Sequence, residues 1–280
     1  MNVFGGATGM NFGPRGPRGI RGKDGSFIDF SNWLPQSLIG NLQSYDEKCC
    51  FIIRNPEKDL LRKGSEIKEW ISRSHFNLNL VAEKASSDIE QILENRYVIN
   101  FKKNRYTSNL LTLIENTPQT YGFLCVTFRV TADKDQVVLS NYQEHHERYC
   151  EIKVTVNEIY IHAHTATEII QHPSKEWTTL FIEHNSDDKI THYRYDVNGQ
   201  TGSFTAPVSD MVHCGFALGS RWNNTYFLDG QIAALEIYSI SNSASLPESV
   251  KKLLSRIKVL LICKLSISII HSHGYLEARR

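Results

Sequence analysis

From about residue 79 onward, apolar and polar residues alternate with a period of two. At that spacing successive side chains fall on opposite faces of a strand. Residues 122–130 put Leu124, Val126, Phe128 and Val130 on one side, with Cys125 and Thr127 on the other. In 150–156, Ile152, Val154 and Val156 alternate with Glu151, Lys153 and Thr155. Short runs of the same kind recur at 97–101, 159–164, 177–183, 192–197, 202–204, 216–218 and 232–238. Asn157-Glu158 and Asn198-Gly199 supply turns between them. Asn-Gly is the stronger signal, because a type I′ turn needs positive φ at both central positions. The 177–182 run is apolar on both sides, which predicts a central strand covered on both faces. Many short strands with turns between them predict an all-β fold, an antiparallel jelly-roll β-sandwich.

The flanks read differently. Asn55-Pro56 marks a turn, and 57–62 and 65–74 read as short flanking helices, with Ile67, Trp70 and Ile71 at i, i+3 and i+4. The expected organisation is a disordered N-terminus (1–12), a collagen-like segment (13–25), a connecting region with short helices (26–75), the sandwich (76–255) and a basic-apolar tail (256–280). Around the start of the tail, Val250, Leu253, Leu254 and Ile257 continue an amphipathic helical pattern. The apolar run at 259–270 is interrupted by Lys264. It falls short of the roughly 20 residues that a membrane-spanning helix needs, so no span is expected.

Gly13, Gly16, Gly19, Gly22 and Gly25 recur at every third position, with Pro14 and Pro17 directly after glycines. Only glycine fits the axis of a collagen triple helix, and proline there pre-sets the polyproline II backbone. The segment resembles a collagen tail, which implies a homotrimer when it belongs to a longer stalk; the alternative is a flexible linker. Arg15, Arg18, Arg21 and Lys23 make it basic, a field suited to glycosaminoglycan. The opening residues lack the apolar core of a signal peptide. Either the protein is cytosolic or Met1 is not the natural start of a longer secreted chain.

The most diagnostic stretch is 215–238. An apolar run closed by Gly219 leads through a polar loop containing Asn223 and Asn224, then Gly230 opens a second strand. Together with Phe123–Val130, 137–140, 151–162, the Trp177 strand and the Val197-Asn198-Gly199 turn, it resembles the laminin-G-like domain of the concanavalin A-like lectin/glucanase superfamily. The resemblance covers about 150 residues and takes 215–238 as the closing hairpin region. It implies a jelly-roll sandwich that binds carbohydrate or a matrix protein through edge loops. Where that family often carries an acidic pair, this chain has Ala233-Ala234, which removes any site built on such a pair.

Candidate chemistry narrows the picture. A net charge of +1 argues against a wholesale polyelectrolyte, and no nucleic-acid-binding signature is present. Six cysteines leave disulfide pairing and buried free thiols both open. Retaining glycosidases need two carboxylates about 5 Å apart. Glucanases of the resembled superfamily place them on one strand as E-x-D-x-E, and this chain has no such run. Glu144-His145-His146-Glu147 is the nearest cluster and reads as a hydrophilic loop. His162 and His164 share a strand face at i, i+2 but lack a third zinc ligand at diagnostic spacing. Asp187, Asp188, Asp210 and Asp229 are oxygen donors for calcium, although Asp187-Asp188 reads better as a turn. No cofactor and no metal are expected.

The loop after Gly219 holds the remaining candidates. Asn223-Asn224-Thr225 is an N-glycosylation sequon, with Asn223 the acceptor. Arg221, Trp222, Asn224 and Tyr226 form an aromatic-cationic rim for a ligand. The expected function is a non-enzymatic extracellular matrix or adhesion module that binds carbohydrate or matrix protein. The alternatives are a degenerate carbohydrate-active enzyme of the same fold and an intracellular lectin-like interaction module.

Overall fold

The computed structural model describes residues 49–53, 55–72, 79–83, 88–93, 96–108, 120–141, 150–172, 175–208 and 216–240. In chain order the first strands are β1 (Cys49–Ile52), β2 (Leu60–Lys63), β3 (Glu66–Trp70), β4 (Leu80–Ala82), β5 (Asp88–Leu93), β6 (Arg96–Lys102) and β7 (Tyr106–Ser108). Next come β8 (Tyr121–Val130), β9 (Gln136–Ser140), β10 (Cys150–Val154), β11 (Glu158–Ala163) and β12 (Ala166–Gln171). The series closes with β13 (Thr178–Ser186), β14 (Ile190–Val197), β15 (Gln200–Pro207), β16 (Phe216–Leu218) and β17 (Asp229–Ile240). A single helical turn, α1 (Pro56–Asp59), starts at Asn55, whose side chain accepts from the Glu57 amide.

The strands form two antiparallel sheets. One has the order β15-β14-β13-β8-β17-β6-β5, with β1 also paired to β17, and contains eight strands. The other has nine, in the order β12-β11-β10-β9-β16-β7-β4-β3-β2. Their inner faces meet in one core that includes Leu124, Val126 and Phe128 of β8, Leu180 and Ile182 of β13, and Ile152, Ile159 and Ile161 of β10 and β11. The predicted all-β antiparallel sandwich is the observed fold. Asn198 (φ 49°) and Gly199 (φ 95°) turn β14 into β15 in the backbone conformation expected of Asn-Gly.

Four expectations change. The 65–74 helix is instead the strand β3, paired to β2. Its register slips opposite Leu61 and Arg62 so that Lys68 has no partner, and this bulge places Ile67 and Trp70 on the core side three residues apart. A bulge turns a spacing of two into three and so imitates helical periodicity. Only α1 remains of the 57–62 helix. Strands β1, β2 and β3 all lie before residue 76, yet they are members of the two sheets. Finally, β16 and β17 are not a hairpin. β16 pairs with β7 and β9 in the nine-stranded sheet, and β17 pairs with β8 and β6 in the other. The loop between them crosses the sandwich.

The collagen-like segment at 13–25, the N-terminus at 1–12, the tail at 256–280, Glu144–Glu147, Asp210 and Gly215 lie outside the described residues. Among the described residues no helix is long and apolar enough to cross a membrane.

Candidate functional site

The 220–229 loop takes its path from its two bounding glycines. Gly219 has φ 85°, and a Cβ there would meet the Phe101 ring at 2.4 Å and the Asn104 carbonyl at 2.9 Å. At Gly230 a Cβ would meet the Arg129 carbonyl at 2.2 Å. Both positions require glycine, the second for close backbone approach. Backbone bonds then fix the loop: Gly219 N donates to Val138 O (2.7 Å), Leu228 N to Gly219 O (2.8 Å), and Val137 N to Tyr226 O (2.8 Å). Gln136 is buried and its Oε1 accepts from Asp229 N at 2.6 Å. The loop is thereby pinned along β9.

From this position it reaches over the outer face of the nine-stranded sheet. Core residues Ile152, Val154, Ile159 and Ile161 point inward, so Glu151, Lys153, Glu158, Tyr160 and His162 point outward. Cross-strand register sets Glu151 beside His162 and Lys153 beside Tyr160. It also sets His162 beside Thr167 and Tyr160 beside Ile169 on β12. The Tyr160 and His162 rings stack with centroids 6.0 Å apart and planes 18° apart. His162 Nδ1 shares a hydrogen bond of 2.9 Å with Thr167 Oγ1. Burial holds the His162 imidazole below its usual pKa, outweighing the opposite pull of Glu151.

Arg221 anchors the loop to this face. Its Nε and Nη2 donate to Glu151 at 2.6 and 2.5 Å, a bidentate pair on a carboxylate that is 0% exposed. The same guanidinium sits 4.4 Å from the centre of the Tyr226 ring. Lys153 Nζ lies 5.3 Å from the Tyr160 ring centre and 5.7 Å from that of Tyr226, so it bridges the two tyrosines. It is also paired with Asp135 at 2.6 Å. Tyr226 is 43% exposed and has φ 50°, a backbone conformation that tyrosine rarely adopts.

The four rim residues proposed from sequence therefore divide. Arg221 and Tyr226 join the face built by β10 and β11. Trp222 turns toward β7 and β9: its amide donates to Ser140 Oγ (3.0 Å), its carbonyl accepts from Arg105 Nη1 (2.6 Å), and the Arg105 guanidinium lies 5.8 Å from its ring centre. Arg105 also pairs with Glu83. Asn224 is exposed with φ 69°, and its amide closes a turn to Arg221 O at 3.0 Å. In the sequon, Thr225 Oγ1 donates to Asn223 Oδ1 at 2.6 Å.

Sequence reasoning missed Glu151, Lys153 and Tyr160, and weighed His162 only as a zinc ligand. The signal was present in the alternation of 150–162, which puts all four on one side of two paired strands. His162 and His164 do not share a strand face as their i, i+2 spacing suggested. β11 ends at Ala163, and His164 lies in the following turn with φ 55°. Among the described residues no group of three or more His, Cys, Asp or Glu gathers as a metal site. Asp187 accepts from the Lys189 and Ile190 amides, both at 2.7 Å, as the expected turn residue. Cys125 and Cys150 are free and buried, and burial pushes both thiols well above their usual pKa.

The geometry defines a two-sheet antiparallel β-sandwich with a polar-aromatic face crossed by a pinned loop. No family model matches the chain, and no curated protein matches it. Several solved structures resemble it. The Ruminococcus gnavus IT-sialidase CBM40 bound to alpha2,6 sialyllactose is 16% identical with a TM-score of 0.34, over 44% of this chain and 78% of that one. An arabinofuranosidase complexed with arabinofuranosyl-alpha-1,2-xylobiose is 8% identical with a TM-score of 0.49, over 73% of this chain and 51% of that one. Domain 4 of AbnA, an arabinanase from Geobacillus stearothermophilus, in complex with arabinotriose, is 11% identical with a TM-score of 0.45. That last match covers 71% of this chain and 96% of the domain.

Proposed function

We propose that this chain is a non-enzymatic carbohydrate-binding module whose ligand lies across the outer face of the nine-stranded sheet. The observation that carries the reading is the arrangement of Tyr160 and Tyr226 on either side of Lys153, with His162 stacked on one ring and Arg221 seated against the other. Aromatic rings offer apolar surface to the C–H faces of a sugar, and convergent polar groups around them fix its hydroxyls. Thr167 and His162 on one side and Arg221 on the other supply those groups.

Two observations favour binding over hydrolysis. Glu151 is wholly buried and committed to Arg221. Glu158 accepts hydrogen bonds from Tyr160 Oη (2.5 Å) and Gln171 Nε2 (2.7 Å), which hold its carboxyl below the usual range. A carboxyl held ionised cannot serve as a general acid.

Isothermal titration of the full chain against a panel of oligosaccharides tests the reading. Y160A and Y226A should each weaken the best ligand by about tenfold or more, as truncated aromatic anchors do. Unchanged affinity in both variants would remove this face from the function.

The matrix or adhesion setting, in the manner of laminin-G-like domains on a collagen-like stem, belongs to the same proposal. It is supported by the Gly13–Gly25 register and by the sequon in the loop. In secretory expression, peptide N-glycosidase should shift the mobility of the wild type and leave N223Q unmoved; a wild type that never shifts counts against it.

A further inference from the structure

We infer that the saccharide taken by this face is neutral, a chain without carboxylate, sulfate or phosphate at the bound residues. The inference rests on the proposed carbohydrate site and deepens it. A basic rim suggests an acidic sugar, and among the described residues Arg221, Lys153 and Arg105 are the cations that would serve one. Each already holds a carboxylate. Arg221 is bidentate on Glu151, Lys153 pairs with Asp135 at 2.6 Å, and Arg105 pairs with Glu83. Glu158 adds a further carboxylate on the same face, bound by two neutral donors, the Tyr160 hydroxyl and the Gln171 amide.

Among the described residues, an anionic sugar approaching here would meet cations whose charge is cancelled and one carboxylate whose charge is not. To take a carboxylate or sulfate, Arg221 would have to release Glu151. That would leave a fully buried anion without its partner, and stripping one member from a buried ion pair is strongly unfavourable. His162 adds no charge near neutrality, because burial favours its neutral form. A neutral sugar asks nothing of the ion pairs. The pairs stay intact, and the tyrosine rings supply apolar contact. The cancelled charges thus discriminate against acidic ligands as well as shaping the face.

Matched oligosaccharides test this: neutral chains, and the same chains carrying a terminal sialic acid or a sulfate ester, titrated against the full chain at low and moderate salt. The neutral member should bind about tenfold tighter, a difference of roughly 1.4 kcal/mol. Its affinity should change little with salt, since no net charge is exchanged. Asp135 is 48% exposed, and D135N leaves Lys153 unpaired at the surface. That variant should raise affinity for the acidic member several-fold and leave the neutral one unchanged. Tighter, salt-sensitive binding of the acidic member to the wild type would overturn the inference while leaving the carbohydrate site in place. Failure of D135N to improve acidic binding would also overturn it. No binding of either member would overturn both proposals.

Discussion

Corresponding central rows on the two outer faces of the sandwich are built on the same strand alternation and differ in exposure. On the nine-stranded sheet, the row Thr167–His162–Glu151–Ser140 and its neighbour Ile169–Tyr160–Lys153 meet the 220–229 loop. There Lys153, Tyr160 and His162 are partly exposed and Ile169 is openly so. On the eight-stranded sheet the corresponding row is Glu236–Cys125–Phe181–Asp196, and every member is buried. Thr127 and Thr179, one step along, are buried too and hydrogen-bonded to each other at 3.2 Å. Polar residues therefore do not mark the open face. Glu151 and Glu236 are both buried, at 0% and 2% exposure, so burial of the carboxylate does not separate the two rows; the exposure of their neighbours does.

Matched truncations on the two faces give the largest test of that contrast. Phe181 is 2% exposed, so F181A should cost about 3–5 kcal/mol, as deletion of a buried aromatic does. Y160A removes a half-buried ring from the open face and should cost under about 1 kcal/mol, while abolishing most of the proposed ligand affinity. Urea denaturation midpoints measure both. A Y160A loss as large as that of F181A would mean the tyrosine is structural packing, and the face would lose its claim to be a site.

How far the sequence carried this comparison depends on the residue. The alternation in 122–130 put Leu124, Val126, Phe128 and Val130 together on what is the core side of β8, and the doubly apolar 177–182 run announced a strand covered on both faces. Asn198-Gly199 located the β14–β15 turn. The β2–β3 hairpin was hidden because one bulged residue, Lys68, gave Ile67 and Trp70 a helical spacing. Arg221 and Tyr226 were legible because they cluster in sequence. Their partners Lys153 and Tyr160 were not, since the chain between them and the loop spans most of the sandwich and only the register of β10, β11 and β9 brings them together. The sheet-to-sheet crossing after β16 left no local mark, because a polar loop between two strands reads the same whether or not the strands pair.

The smallest expected effect concerns protons. His172, at the end of the β11–β12 segment, is buried, and its Nε2 shares a hydrogen bond of 2.6 Å with Thr178 Oγ1. Burial pulls its pKa below the ordinary 6.5, against a weaker upward pull from Glu176. The unfolded chain therefore takes up this proton first as the pH falls. Stability from this group is fully present above pH 6.5 and is lost as the pH drops from there toward the lower folded value. His162 on the open face shifts in the same direction, and because it is present in both proteins its contribution cancels from the comparison below. Thermal melts of wild type and H172Q, each at pH 7.5 and pH 5.0, isolate the term. The wild type should lose about 2 °C more than the variant over that interval. Equal losses would show that the histidine beside the closed sheet titrates as freely as one in water, and that burial there is looser than Thr178 and its neighbours imply.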